Sequence, residues 1–337
     1  MSSKRVLYIG TPFFDYYKLI IQQFERKGYK VDFYNDRPSE NSFVKGFIKI
    51  KKSLMDSLIQ NYFETIMNET RNIEYDLVFV VNCKVFSPAM MQQLRDSQKS
   101  ARFVLYMWDS LTLYPNSEEL IPIFDKVYSF DTDDCQRLKE ISFLPLFYSE
   151  AYEKVGKENS RKREYDIVSV CTAHPNRYKK MKDLFPKLES KGVRIYSYMF
   201  LNILQYLYNK FFVTEFKKSK RKEFKFKPLA ESDLLSILQK SNTVFDMPHS
   251  MQSGLTMRTI ETFGAKRKLI TTNINIKNYD FYDENNIFVM DEDNVEHIEE
   301  FLKRKYKPIN EEIYAKYSLS SWVETIIKEE INDYLIC

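Results

Sequence analysis

Short runs rich in β-branched and aromatic residues recur along this chain, and helical patterns separate most of them. Val6 to Ile9, Lys30 to Tyr34, Leu77 to Val81, Phe103 to Met107 and Val127 to Phe130 are the first series. A short continuous apolar run suits a strand covered on both faces, and parallel strands need a crossover, usually a helix. The alternation therefore predicts an α/β fold: a parallel sheet between two layers of helices, with a ligand crevice at the C-terminal ends of the strands. Gly10, Asp109 and Asp131 stand at such ends.

From about Phe147 to Glu164 the chain turns polar, ending in ENSRKREYD, and a second alternating series follows. It has strands at Asp166 to Val170, Arg194 to Tyr198, Thr243 to Phe245 and Lys268 to Thr271, with helices over Lys179 to Ser190 and from Thr256. A chain of 337 residues has room for two domains of ordinary size. The expected division is two Rossmann-like domains, residues 1–155 and 156–310, followed by a segment 311–337. Helical spacing from Glu311 to Leu335 predicts a C-terminal helix that crosses back onto the first domain. No internal repeat is present.

Composition limits the environment. A formal charge of +4 creates no global field for nucleic acid. Cys83, Cys135, Cys171 and Cys337 lie far apart without a CxxC pair, so neither a zinc site nor a disulfide framework is expected, and a reducing cytoplasm fits. The first apolar run is too short for a signal peptide, and none approaches the roughly 18 residues of a membrane span. Any membrane contact is therefore expected to be peripheral. With 26 Phe and 24 Tyr against 7 Gly, some aromatic surface is also expected.

One local charge cluster stands out. In KKSKRKEFKFK, residues 217–227, seven basic residues oppose one Glu, and the stretch Phe200 to Phe216 before it is rich in Phe, Tyr, Leu and Ile. Residues 200–227 therefore suit an anionic membrane surface. A second stretch, Phe43 to Met67, carries Lys45, Lys49, Lys51 and Lys52 among apolar residues. An exposed basic loop after a packed helix fits the same residues. Basic residues interleaved with Phe also suit single-stranded nucleic acid, but no RNP, KH or helix-turn-helix pattern accompanies them, so no nucleic-acid partner is expected.

The most informative segment is Ser253 to Asn273, SGLTMRTIETFGAKRKLITTN. Ser253, Gly254 and Leu255 form a turn, and Thr256 can cap the helix that follows. A helix start leaves backbone N–H groups free and carries positive partial charge, so it can hold a diphosphate. At 100° per residue Met257, Ile260, Phe263 and Gly264 share one face, expected to pack. Arg258, Glu261 and Thr262 share the other, expected to look at ligand. Arg258 can offer a planar fork to phosphate and Glu261 can accept from two ribose hydroxyls. The same spacing fits an ion pair between the two.

These residues resemble a known family. A Gly turn, an Arg with Glu three residues on, then Phe-Gly-Ala and a strand ending Thr-Thr-Asn is similar to the donor-binding segment of GT-B glycosyltransferases, especially those making capsular and lipopolysaccharide glycans. About 20 residues carry the likeness closely, and the domain order, with DIVSVCTAHPNR opening the second domain, carries it loosely over the chain. The resemblance implies two Rossmann-like domains facing across a cleft, an acceptor-side first domain and a nucleotide-sugar-binding second one. Glu261 would bind the nucleotide ribose, Arg258 the diphosphate, and Gly254 would lie at the phosphate turn. It implies no metal and no cofactor, the nucleotide sugar being a substrate. Many retaining members carry a second Glu where this chain has Ser253, so an inverting transfer is expected. A glycan or lipid-linked glycan is the expected acceptor, at the inner face of the cell membrane.

Around this segment His249 and Gln252 can donate to the leaving group, and Arg177, opening a basic helix after Cys171 to Asn176, is a further phosphate contact. An inverting transfer also needs a base. Asp109 follows Tyr106-Met107-Trp108 at a strand end, where an aromatic can exclude water from a carboxylate. Asp15 and Asp131 are the alternatives, and each fits a helix cap. A dehydrogenase is excluded because no GxGxxG follows the first strand. A sugar-nucleotide epimerase of the same fold and a non-catalytic membrane-docked partner in glycan assembly remain open.

Overall fold

The computed structural model describes residues 4–12, 15–38, 52–158, 163–248, 253–328 and 332–335. The chain forms two compact units. Met1–Leu146, Met251–Gly254 and Leu319–Asn332 make the first, and Phe147–Ser250, Leu255–Ser318 and Asp333–Cys337 the second. Each is an α/β unit built on one parallel sheet, as the alternation predicts.

The first unit contains β1 (Arg5–Ile9), β2 (Lys30–Tyr34), β3 (Leu77–Val81), β4 (Arg102–Met107), β5 (Lys126–Ser129) and β6 (Ile141–Phe143), paired in the order β2-β1-β3-β4-β5-β6. Every side chain of Leu77–Val81 is buried, which is why this strand reads as an unbroken apolar run rather than an alternating one. Its helices are α1 (Tyr16–Arg26), α2 (Lys52–Thr70), α3 (Pro88–Ser97), α4 (Thr132–Arg137) and α12 (Leu319–Lys328). Ser87 caps α3 by accepting from Met90 N at 3.3 Å, and Pro88 supplies a first-turn residue with no N–H to satisfy.

The second unit contains β7 (Tyr165–Thr172), β8 (Ile195–Phe200), β9 (Ser241–Asp246), β10 (Lys268–Thr271) and β11 (Ile287–Val289), in the order β11-β10-β9-β7-β8. Around them lie α5 (Glu150–Lys157), α6 (Pro175–Ser190), α7 (Ile203–Phe212), α8 (Glu231–Gln239), α9 (Met257–Gly264), α10 (Ile298–Lys303) and α11 (Glu311–Lys316).

The C-terminal stretch is not one helix, as its spacing predicts, but two. The break falls at Tyr317 and Ser318, where Tyr148 N donates to Tyr317 O at 2.9 Å and Tyr148 bridges Ser318. A backbone carbonyl spent on another segment cannot continue a helical ladder. After the break, α12 packs in the first unit through Trp322, 1% exposed, whose ring lies 4.8 Å from Tyr106 and 5.9 Å from Phe79. Among the described residues no helix is long and apolar enough to cross a membrane.

Candidate functional site

In the second unit the chain enters at β7, passes to β8 on one side, then crosses to β9 on the other. The strand order therefore reverses between β7 and β9, and the C-terminal ends of those two strands frame the crevice where open α/β sheets take ligands. Arg177 and Thr256, two of the sequence-predicted residues, are tied to those ends. Arg177, in the first turn of α6, donates from Nη1 to Thr172 O at 2.8 Å and from Nε to Met247 O at 3.1 Å, with Nη2 also on Met247 O. Its guanidinium spans the two strand ends.

The start of α9 is fixed at the same place. Thr256 Oγ1 accepts from Thr259 N at 3.1 Å, as an N-cap should, and donates to Asp246 Oδ2 at 2.6 Å. Thr259 Oγ1 donates to the same carboxylate oxygen at 3.3 Å. Asp246, the last residue of β9, thus ties the helix start to the sheet. Sequence reasoning did not single it out, although its position at a strand end was the available signal. Arg258 stands in the first turn of α9, two residues after Thr256. Cys171, near the end of β7, has its thiol pushed up by burial, while the charges of Arg177 and Arg258 pull the other way and Asp246 pushes with the burial. The sulfur therefore lies within electrostatic reach of both arginines.

The ligand-facing side expected of α9 is closed in this state. Glu261 and Thr262 are each 1% exposed, and every residue from Thr259 to Gly264 is buried. Arg258 Nη1 donates to Glu261 Oε2 at 2.8 Å, the ion pair that the spacing also allowed, and Thr262 Oγ1 donates back to Arg258 O at 2.7 Å. Tyr152 of α5 faces Glu261, and its phenol is held far above the ordinary tyrosine value by burial and then by that carboxylate. Arg258 itself keeps 21% of its side-chain exposure. The pair is therefore a buried carboxylate beside a partly exposed arginine.

Ser253 and Gly254 belong to the first unit. Ser253 Oγ donates to Asp131 Oδ1 and its N–H donates to Asp131 Oδ2 at 3.2 Å. Ser110 Oγ also donates to Asp131, which in turn caps α4 by accepting from Asp133 N at 3.0 Å. Asp131 is thus a buried cap rather than an open carboxylate. A Cβ on Gly254 would sit 2.6 Å from the Phe130 ring and carbonyl, so the close backbone approach that glycine permits is made to Phe130. Leu255 is buried at the head of α9. His249 and Gln252 lie outside the described residues.

The first unit gathers a second cluster at the ends of β1, β2, β3 and β4. Asp109, just beyond β4, accepts from Lys84 Nζ at 2.6 Å and from Asn82 Nδ2 at 3.0 Å. The carboxylate therefore has a cation and an amide as partners, beside the aromatic neighbour expected at Trp108. Burial opposes the charge of Lys84, but the hydrogen bonds and charges of Asp109 and Tyr114 outweigh it and hold the ammonium above its usual range. Lys84 also stands 4.0 Å over the Tyr114 ring. Trp108 is half-buried among Tyr16, Tyr106 and Trp322.

Asn82 is the hub of this corner. Its Oδ1 accepts from Trp108 N at 2.7 Å and Asp109 N at 3.2 Å. Both Asn82 and Cys83 take left-handed backbone angles, φ 64° and 51°, a conformation that costs energy in a non-glycine residue and must be held by its surroundings. Asp36, fully buried past β2, accepts from Thr11 Oγ1 at 2.9 Å and Arg37 Nε at 3.1 Å. Asn82, Lys84 and Asp36 escaped the sequence reading, though all follow strands it recognised. Asp15, at the start of α1, keeps 70% of its side-chain exposure and pairs with Lys18 at 2.7 Å. Among the described residues no group of three or more His, Cys, Asp and Glu gathers as a metal site.

The second unit also has a basic cavity of about 610 Å³ at the N-terminal side of β9 and β10, lined by Lys157, Arg163, Lys266, Arg267, Lys268 and Arg304 among others. Its two deepest cations are already satisfied by carbonyls. Arg267 donates to Leu238 O at 3.0 Å and Ala265 O at 2.8 Å, and Lys268 donates to Phe301 O, Leu302 O and Arg304 O at 2.8–3.0 Å. Burial, then the neighbouring cation, pushes Lys268 down to about 8. This end of the sheet is a structural sink for charge.

No family model matches the chain, and no curated protein does. Solved structures match it in fold. An α-glucosyltransferase in complex with UDP and a 13-mer DNA aligns with a TM-score of 0.60 at 13% identity, covering 95% of this chain and 94% of that one. Anabaena HepE in complex with UDP and glucose aligns at 0.56 and 10% identity, over 96% and 98% of the two chains. A UDP-N-acetylglucosamine 2-epimerase from Listeria monocytogenes, so described provisionally, aligns at 0.53 and 11% identity over 100% of each. The chain has the two Rossmann-like domains of the GT-B fold.

Proposed function

We propose that this chain is a glycosyltransferase that takes a sugar from a nucleoside-diphosphate donor and transfers it to a glycan acceptor. What supports the donor half is Arg177 bonded to both strand ends at the β7/β9 reversal, and Arg258 in the first turn of a helix whose capped start Asp246 ties to the end of β9. Two guanidinium groups and a helix start supply the positive charge that a diphosphate needs, so the reading requires no metal and no cofactor. UDP in structures of this fold supports the same ligand class.

In this reading binding exchanges partners at the buried pair. Arg258 leaves Glu261 for the diphosphate, and Glu261 accepts from the ribose hydroxyls in its place. Arg177 keeps its carbonyl partners and presents its remaining positive charge at the strand ends. The reacting acceptor oxygen bonds to the anomeric carbon, the bond from that carbon to the diphosphate oxygen breaks, and the acceptor proton passes to a base. Asp109 in the first unit is that base, positioned by Asn82 and Lys84. Ser253 offers no carboxylate, and its hydroxyl is spent on Asp131, which supports an inverting course. The acceptor is a lipid-linked glycan of surface polysaccharide assembly, capsular or lipopolysaccharide, met at the inner face of the cell membrane.

The epimerase alignment keeps a second outcome in view, in which the same donor is bound and returned as a changed sugar nucleotide. A panel of sugar nucleotides, assayed for diphosphate release with and without a lipid-linked acceptor, separates the two. Acceptor-dependent release supports the transferase. A new sugar nucleotide formed without acceptor establishes the epimerase, and absence of nucleotide binding across the panel discards both.

A further inference from the structure

Helix α7 (Ile203–Phe212) is built inside out. Around its axis Ile203, Leu204, Leu207, Tyr208, Phe211 and Phe212 fill one half-turn, and that half faces solvent. Leu204, Phe211 and Phe212 are 73%, 70% and 72% exposed. The opposite half carries Tyr206 into the core and, with it, polar residues. Asn209 is buried and accepts from Gln205 Nε2 at 2.8 Å, while Lys210 Nζ donates to Ser219 O at 2.6 Å. Surface helices of globular proteins place these residue classes the other way round. Scattered exposed apolar residues need no explanation, but six on one face mark an interaction site.

The segment after the helix sorts its residues in the usual sense. Phe216 and Phe224 are buried; Phe216 stacks on Tyr178 at 4.8 Å and on Phe224 at 5.6 Å, and Phe224 lies tilted against Tyr178 at 5.2 Å. Lys217, Lys218, Lys220, Arg221, Lys222, Lys225 and Lys227 all point outward. The loop is pinned to the end of edge strand β8, where Leu201 N donates to Lys225 O at 2.9 Å and Lys225 N to Met199 O at 2.8 Å. Lys210 on Ser219 joins the last turn of the helix to the basic run. A rigid apolar face thus adjoins seven cations on the same unit.

We infer that α7 lies in the plane of an anionic bilayer, with Leu204, Phe211 and Phe212 among the acyl chains and the 217–227 cations on the headgroups. An anionic lipid surface supplies both partners this patch lacks, apolar volume and negative charge. A second copy of the chain, itself carrying net positive charge, would bring like charge against the same lysines. The inference deepens the lipid-linked-acceptor reading. It is carried by the helix and the adjoining cations, and its test uses neither nucleotide nor acceptor, so either can fail without the other.

The test is sedimentation of the full chain with vesicles of phosphatidylcholine alone or mixed with phosphatidylglycerol. Binding is expected only to the mixed vesicles, and should collapse between about 0.01 M and about 1 M salt, where the Debye length shrinks from about 30 Å to about 3 Å. Both Leu204→Ser/Phe211→Ser/Phe212→Ser and Lys217→Glu/Lys218→Glu/Lys222→Glu should lower the partition coefficient at least tenfold. Because these side chains are exposed, the circular-dichroism melts of both variants should match the parent. Three results would overturn the inference: no binding to mixed vesicles, unchanged binding by the serine variant, or a dimer in sedimentation equilibrium that the serine variant dissolves.

Discussion

Replacing Glu261 by Gln tests the donor site with the least change of shape. Glu261 is 2% exposed in its side chain and accepts one charged hydrogen bond from Arg258 at 2.8 Å. Breaking a fully buried ion pair costs about 3–5 kcal/mol, but Arg258 is partly exposed and Gln keeps an acceptor oxygen, so about 1–2 kcal/mol of stability should be lost. If Glu261 also accepts from the ribose, exchanging charged for neutral acceptors should cost about 1–3 kcal/mol of binding. At 1.4 kcal/mol per tenfold, that is about a 5- to 150-fold rise in the Kd for UDP as probe. Calorimetry with UDP and 2′-deoxy-UDP completes a cycle in which the variant and the missing hydroxyl should not add. A melting temperature that falls while both affinities stay within twofold of the parent would refute the ribose assignment and leave the pair purely structural.

Asp109→Asn should cut turnover by about 10²–10⁴ while nucleotide affinity is kept, as expected for loss of a general base; turnover within a few-fold of the parent would remove Asp109 from the chemistry. Gly264→Ala would place a Cβ 2.5 Å from Cβ and Cγ of Tyr148, so differential scanning calorimetry should show about 1–3 kcal/mol of destabilisation from overpacking. The acid limb of stability should depend on Glu324, whose carboxyl the Lys328 and Lys27 hydrogen bonds hold down to about 2, against an ordinary 4.5. A depressed carboxylate stabilises above its unfolded value and loses that contribution as pH falls toward the folded one. Thermal melts between about pH 6 and about pH 3 should therefore fall less for Glu324→Gln, by on the order of 1 kcal/mol or less because this surface group is screened.

The sheet was legible where its strands are continuous apolar runs. Leu77–Val81 is covered on both faces, so burial is written in residue type alone, whereas in Lys268–Thr271 the buried Lys268 departs from that pattern. Ile141–Phe143 and Ile287–Val289 were not read as strands, since three residues carry no period. The head of α9 was legible because Thr256 caps it in the ordinary way. The state of its far side was not: helical spacing cannot say whether Arg258 meets a ligand or Glu261, and only packing shows that it meets Glu261 here. Lys84 reaches Asp109 across 25 positions of sequence, through the left-handed turn at Asn82 and Cys83, and no local pattern announces such a pairing. Among the described residues the aromatic surface expected from composition is concentrated on α7, whose inverted order shows only when one knows which half of the helix packs.

The abundant tyrosines explain how α9 can be a precise platform with so few glycines. A binding helix must be held at both ends, because a small displacement of its N–H groups weakens every contact they make. At its start, Asp246 grips Thr256 and Thr259. At its end, Tyr314 OH donates to Gly264 O, and Tyr148, stacked on Tyr314 at 4.8 Å, donates its own hydroxyl to Tyr314 O at 2.9 Å. Phe263 packs against Phe281 at 4.4 Å, and Tyr317 against Phe281 at 5.0 Å while its hydroxyl bonds Asp280 at 2.7 Å. A buried tyrosine contributes apolar area and one directed hydrogen bond together, so each ring both fills space and fixes orientation. Gly264 is small because Tyr148 lies on it, not because the helix bends there. A carboxylate anchor at the β9 end and a tyrosine lattice at the other hold Arg258, 21% exposed in its side chain, against Glu261; under the proposed donor reading this is the pair that exchanges partners.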